Sequence, residues 1–564
     1  MYQAPQPVKF SPKKINRYDF SADSVALSGE LGERLARSIQ RISHEAPFSE
    51  EYLLKQIKTD PQTWTNFPCC HGDVAGRWLW AQALAHSDCT EAPADVVSLA
   101  HKAIAHQQAD GHFGNETIAP GVETMLGAYG NGWMLKGLSV LASLFPDAKL
   151  ETAVRQHVQW YIDQYPYWEE VARNIRERDT EYYAVTPSGY FHGLAGLSSA
   201  YQITGDERIL TLARQFMPNV ASLAEADHSH SYLTVRRGCL EFAERGGDTG
   251  MVAAIEKELE QVWREFVMES GGIPERFVKF GKDHIHDDEA CSHADWMLLC
   301  LKLHKLTGKD AWLERGILCL ENQFFYNQTI NGGFGARLIY QNRYLQMGKE
   351  GYWCCSLYGP SVMLEAASYF VQRDGDTLSV LHPIEGTFTF GDQTVNLSWS
   401  ADYRQFIVDL SQAPAIQKVN LREPSWASWH AGQYNHTHTY TAHWKFWNAT
   451  PGKAPEPVTA ESGNVYTQFL GPWMLAARAA QNVDIPTLPM RAMASGAAID
   501  GLEIRTMKGL PQTSKTLMAV APSDVQINQY DVFSWPNQPG NQIMLYPLKD
   551  KESPDNMKTW FKAL

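Results

Sequence analysis

Residues 294–325 read ADWMLLCLKLHKLTGKDAWLERGILCLENQFF. Two amphipathic stretches, Ala294–Leu306 and Trp312–Phe325, flank the tetrapeptide Thr307-Gly308-Lys309-Asp310. In the second stretch Leu313, Ile317, Leu320 and Phe324 recur at four, three and four residues, which places them on one face of an α-helix. The glycine ends the first helix, and the polar residue after it can cap the second. The unit is a helical hairpin.

The same hairpin recurs as Gly193–Tyr201, Thr204-Gly205-Asp206 and Ile209–Met217, and again around Gly246-Gly247-Asp248. Repeated hairpins must stack to bury their apolar faces. Open stacking gives a solenoid and closure gives an α/α toroid. Uneven connections such as Tyr165–Pro187 and Gly271–Asp288 favour a toroid with a functional mouth. Beyond residue 376 the period changes to two: Phe388, Phe390, Val395, Leu397 and Trp399, then Phe406, Val408 and Leu410, alternate with polar residues. The polar stretch Gln433–Gly463 reads as hairpins and loops. The expected organisation is an α+β multidomain chain, with a helical catalytic domain over 1–375 and a β-sandwich over 376–564.

At 564 residues the chain exceeds one compact core. Its formal net charge of −14, without a run of Lys or Arg, argues against nucleic acid and anionic membranes as partners. No stretch reaches the roughly 18 apolar residues of a membrane span. The first thirty residues hold Lys13, Lys14 and Arg17 but no apolar signal core, so the expected location is the cytoplasm. Nine cysteines, an odd number without a secretion signal, point to free thiols and metal ligands rather than a disulfide framework. The 18 tryptophans mostly fill cores, but such rings also stack on the C–H faces of sugars.

Four segments carry chemistry. Tyr352-Trp353-Cys354-Cys355-Ser356 holds vicinal thiols, which alone read as small buried hydrophobes. Asp287-Asp288-Glu289-Ala290-Cys291-Ser292-His293 sets a carboxylate two residues from a thiol at the start of a helix. Together they offer Glu289, Cys291, Cys354 and Cys355, a four-ligand set suited to zinc, with His293 as a competing ligand. Glu269-Ser270-Gly271-Gly272-Ile273-Pro274-Glu275 presents an acid on a glycine loop, which alone reads as a surface turn. His192 precedes a helix, and His228 and His230 flank Ser229; such histidines suit sugar hydroxyls, capping or a satisfied core position. A second vicinal pair, Cys69-Cys70-His71, lacks an acid or thiol partner nearby.

In this order, Gly-Gly…Glu, Glu-x-Cys, Trp…Cys-Cys and then a β-rich C-terminus, the chain resembles the zinc- and cysteine-dependent β-L-arabinofuranosidases, glycoside hydrolase family 127. Fainter echoes are Asp110-Gly111-His112-Phe113-Gly114, Leu338-Ile339-Tyr340-Gln341-Asn342 and Gly471-Pro472. The resemblance implies an (α/α)6 barrel joined to β-sandwich elements and a retaining, exo-acting glycoside hydrolase. It implies Cys354 as nucleophile, Glu275 as general acid/base, zinc on Glu289, Cys291, Cys354 and Cys355, and His192, His228 and Tyr340 near the sugar. The substrate would be an oligosaccharide or glycoside, and aromatic-rich sandwiches of this kind are compatible with a homodimer. The chain departs from the family at Tyr129-Gly130-Asn131-Gly132-Trp133, where relatives often carry a Gly-His pair. Other expectations are a relative acting on another uncommon or anhydro sugar, a sugar epimerase using the histidines and Glu275, and a glycan-binding toroid with structural zinc.

Overall fold

The computed structural model describes residues 6–16, 22–57, 70–114, 122–174, 191–216, 222–224, 226–277, 288–340, 343–400 and 405–449, and a set of strands between 465 and 563. The helical part comprises α1 (Gly29–His44), α2 (Asp73–Ala85), α3 (Ala94–Ile104), α4 (Val122–Leu144), α5 (Ala148–Asn174) and α6 (Leu194–Thr204). It continues with α7 (Glu207–Phe216), α8 (Ser229–Gly246), α9 (Thr249–Glu265), α10 (Ala290–Thr307), α11 (Asp310–Cys319) and α12 (Cys355–Phe370). Among the described residues no helix is long and apolar enough to cross a membrane.

The even-numbered helices pack in sequence, each on the next, and α12 packs back on α2, so the contacts are cyclic rather than linear. The odd-numbered helices pack outside them. Composition explains the two layers. Every residue of α2 is buried, as an inner helix requires, whereas α9 buries Ile255, Leu259 and Val262 on one face. Close approach of α2 and α4 depends on small residues: a Cβ at Gly76 would stand 2.3 Å from the Trp133 carbonyl, and one at Gly137 would stand 2.2 Å from the Gly76 carbonyl oxygen.

The hairpin turns follow their sequence. Gly308 closes α10 in the left-handed region at φ 69°, and the Asp248 carboxylate caps α9 by accepting from the Met251 amide. Leu313, Ile317, Leu320 and Phe324 are all buried, but the last turn, Leu320–Phe324, widens to a π-helix. The connection expected at Tyr165–Pro187 is helical up to Asn174, with Pro166 inside α5. Tyr165 and Trp168 are buried there, and Trp168 packs edge-on against Trp160 and Tyr161 at 5.1 and 5.3 Å, so aromatic packing carries the helix past the proline. Residues 175–190 and 278–287 lie outside the described residues.

A seven-stranded sheet runs in the order Lys9–Phe10, Ser24–Leu27, Gly386–Phe390, Gln393–Trp399, Gln405–Gln412, Thr437–Trp444, Ala427–Tyr434. The expected alternation holds, with Phe388, Phe390, Val395, Leu397, Phe406, Val408 and Leu410 buried. Its first two strands come from the N-terminus, too short for their period to be read from sequence, so the sheet draws on both sides of residue 375. Val371–Asp374 and Thr377–Val380 form a hairpin across that position. Most strands from Val465 onward form a further sheet that also takes in Phe446–Ala449, while Met490–Met493 and Gly496–Ile499 pair separately. It is tied to the helices through the π-turn: buried Asn322 donates to the Pro472 carbonyl at 2.8 Å and accepts from the Met474 amide at 2.7 Å.

Candidate active site

The N-termini of α8, α10 and α12 converge. His228 is the residue before α8, Glu289 the residue before α10 and Cys354 the residue before α12. Cys291 lies in the first turn of α10, and Cys355 begins α12. One ligand atom from each of Glu289, Cys291, Cys354 and Cys355 lies within 4.8 Å of all the others. The sulfurs of Cys354 and Cys355 are 3.5 Å apart and those of Cys291 and Cys355 3.6 Å. Glu289 Oε1 lies 3.6 Å from Cys354 Sγ and 3.8 Å from Cys355 Sγ.

Those spacings suit a tetrahedral thiolate site: a Zn–S bond of about 2.3 Å implies S···S edges of about 3.8 Å. The electrostatics also call for a cation. Bonds from the Cys291 and Cys354 thiols outweigh burial and push Cys355 down to about 6. Burial and its two thiol neighbours push Cys291 up. At Cys354 the Cys291 contact lowers the pKa, but Cys355 and burial outweigh it and push the thiol up. One sulfur therefore ionises at the expense of the other two, and a bound cation would relieve the conflict. Glu289 is half-buried, which would raise its pKa, yet His228, His230 and Arg77 hold it down at about 2.

The glycine loop is fixed from both sides. Pro274 bridges Asp288, and His228 bridges Arg276, so the loop runs between the segments that carry Glu289 and His228. The Glu275 carbonyl accepts from the Ser229 amide at 2.9 Å. A Glu275 carboxylate oxygen, His228 and Glu289 also share a 4.8 Å cluster. His228 Nε2 lies 3.4 Å from Glu289 Oε2, while its Nδ1 pairs with the Ser231 hydroxyl at 2.8 Å.

His293 does not join the ligands. Its Nδ1 accepts from the Ile273 amide at 3.1 Å, so Nε2–H is left to donate to Asp288 at 3.0 Å. It therefore holds the glycine loop two residues before Glu275. Cys70 and His71 are buried but belong to no ligand cluster among the described residues. Cys69 lies outside the described residues, as does the side chain of Tyr340, whose backbone ends the strand Gly335–Tyr340.

His192 is buried, and neither ring nitrogen makes a hydrogen bond to the described residues. Its ring lies 4.0 Å from Tyr129 and 5.6 Å from His230, centroid to centroid. A buried imidazole without partners is costly unless a ligand satisfies it.

Beneath these residues lies a network that motif reading missed. Arg77, fully buried, donates to Asp73 at 2.6 Å, to the Tyr129 hydroxyl at 2.8 Å and toward Cys291 Sγ at 3.8 Å. It lies 4.0 Å over the Trp133 ring. It also meets His230 Nε2 at 3.2 Å, which leaves the His230 proton on Nδ1 to bond Asp295 at 2.5 Å. Burial would raise the Asp295 pKa, but His230, Arg237 and Tyr358 hold it well below the carboxylate range. The available signal was Asp73 and Arg77 at i and i+4 in the otherwise mostly apolar helix 73–85, because buried charges come in pairs.

No family model and no curated protein matches the sequence. Solved structures do match. A GH127 β-arabinofuranosidase superposes with TM-score 0.68 at 13% identity, over 100% of this chain and 99% of the other. This chain has that fold. A GH127 β-L-arabinofuranosidase from Geobacillus stearothermophilus T6 gives TM-score 0.63 at 13% identity, over 96% and 100% of the two chains. A structure described as a glycoside hydrolase gives 0.61 at 14%, over 98% and 99%. The resemblance read from local motifs thus extends to the whole fold.

Proposed function

We propose that the protein is a retaining, exo-acting glycoside hydrolase of the β-L-arabinofuranosidase kind, with Cys354 as nucleophile and Glu275 as acid/base. The observation that carries this reading is the meeting of Glu289, Cys291, Cys354 and Cys355 beside Glu275 and His228. The same reading treats residues 1–375 as an (α/α)6 barrel holding the cleft and 376–564 as a β-sandwich to which the N-terminal strands are lent.

Glu289, Cys291, Cys354 and Cys355 would hold zinc. When bound, zinc supplies the positive charge that keeps the thiols ionised near neutral pH. Cys354, with 8% of its surface exposed, is the most exposed of the three thiols. Its sulfur attacks the anomeric carbon while Glu275 gives its proton to the departing oxygen. The C–O bond breaks and an S–C bond forms. Glu275, now a carboxylate, takes a proton from water. The hydroxide attacks the same carbon, and the sulfur leaves as thiolate. Two inversions retain the configuration. His228 steadies Glu289, and the open nitrogens of His192 bind sugar hydroxyls.

A second substrate is favoured by one observation. Tyr129 stands in the stretch that departs from the family, tethered to Arg77 and against His192. A bulky ring beside His192 suits another uncommon furanose or an anhydro sugar. Elemental analysis tests the core of the reading. About one zinc per chain in the wild type and almost none in the Cys291→Ala/Cys355→Ala double variant is expected. A wild type that is purified reduced and unchelated yet holds no zinc sinks the nucleophile assignment.

A further inference from the structure

At the opposite end of the helical ring, the C-terminal halves of all six even-numbered helices line a cavity of about 250 Å³. Six cationic side chains reach it: Lys14, Lys136, Arg237, Arg245, Lys302 and Lys305. Three carboxylates, Glu241, Glu244 and Glu365, oppose them. The cavity thus carries an excess of positive charge inside a chain whose net charge is −14.

Helix ends explain part of this. Partial negative charge at a C-terminus attracts cations, but its reach ends within the last turn. That covers Arg245 and Lys305. It does not cover Lys136, two turns from the end of α4 at Leu144. The Lys136 side chain is 8% exposed, and its nearest carboxylate, Glu241, stands 3.8 Å away. It makes no hydrogen bond to the described residues and lies 5.4 Å from the Trp80 ring centre. Lys302 and Lys305 both reach the Glu244 carboxylate, and Glu241 also favours the charge on Lys302. Burial pushes the Lys305 ammonium down to about 8. Arg237 is already paired with Asp295 and Glu365, so it closes the floor of the cavity rather than offering a free donor.

We infer that this cavity is a binding site for a small multivalent oxyanion, carrying phosphate or carboxylate groups, held by Lys136 with Lys302 and Lys305. A buried ammonium group held 3.8 Å from its carboxylate, in a cavity lined by more cations than anions, is completed by a ligand that brings negative charge and acceptor oxygens. The volume suits a small ion or a compact acid rather than an oligosaccharide. The inference stands apart from the hydrolase reading, since it shares no residue with the thiol cluster.

The test is calorimetric titration of the full chain with inorganic phosphate and with succinate, against sodium chloride at matched ionic strength. The expected result is saturable binding of at least one of the two, weakened tenfold or more in Lys136→Met and retained in Lys136→Arg. Which probe binds tells phosphate from carboxylate recognition. If Lys136→Met does not fold, Lys305→Gln decides: a several-fold loss sustains the site, and unchanged affinity overturns it. Wild type that takes up neither anion more tightly than chloride also overturns it.

Discussion

At the N-terminal ends of α8, α10 and α12 the helical ring gathers carboxylates and thiols, while at the C-terminal ends of α4, α8 and α10 it gathers ammonium and guanidinium groups. The same inner helices build both ends, so the difference follows from helix direction. An N-terminus carries partial positive charge and unsatisfied N–H groups, which favour Glu289 and an ionised thiol. A C-terminus favours Lys305 and Arg245. The two ends also differ in how charge is settled. At the thiol end each buried cation has a close anion, as Arg77 has Asp73 at 2.6 Å. At the other end Lys136 is held at arm's length.

The largest expected effect lies at the thiol end. Cys354→Ser should lower turnover on any cleaved aryl glycoside by about 10³-fold or more, because a serine hydroxyl stays protonated and is a poor nucleophile. Activity within tenfold of the wild type, with zinc retained, would remove Cys354 from the reaction. Next comes Glu275→Gln. It should cost about 10²- to 10⁴-fold on substrates with poor leaving groups and much less on activated aryl glycosides, which need no protonation. Equal losses across leaving groups would mean that Glu275 is not the acid.

Exchanging one cation for methionine at each end tests the contrast in charge settlement. Arg77→Met strands buried Asp73 and also unseats Tyr129 and His230, and should cost about 3–5 kcal/mol in denaturant unfolding. Lys136→Met leaves Glu241 with Lys302 and Arg237 nearby, which both favour its ionised form, and should cost within about 1 kcal/mol. Equal costs at the two ends would break the comparison.

How much of this was legible in the sequence depended on distance along the chain. Cys354-Cys355, Glu289-x-Cys291 and the Gly271-Gly272 loop with Glu275 are local signatures, and the structure brings them into two clusters that share Glu289. The hairpin turns were legible because Gly308 and Asp248 act on their own neighbours. Arg77 was not, since its contacts with Tyr129, His230 and Cys291 span 52, 153 and 214 residues. The entry of Lys9–Phe10 and Ser24–Leu27 into a sheet more than 350 residues downstream was hidden for the same reason. The expected connection from Tyr165 is instead helical to Asn174 across Pro166, because tertiary packing of Trp168 overrides a strong local breaker.

An effect between those two costs is expected from a site at neither end. Asn322 has no exposed surface and joins the π-turn to the sheet through the Pro472 carbonyl and the Met474 amide. Asn322→Ala leaves both backbone groups buried without their partner, at about 1–3 kcal/mol. Both ends of the ring lie on other helices, so zinc content and anion affinity should stay as in the wild type while the unfolding midpoint falls. A fall in zinc content with the midpoint would show instead that the sheet helps hold α10 and α12 in register, and that the thiol end depends on the C-terminal strands as well as on helix direction.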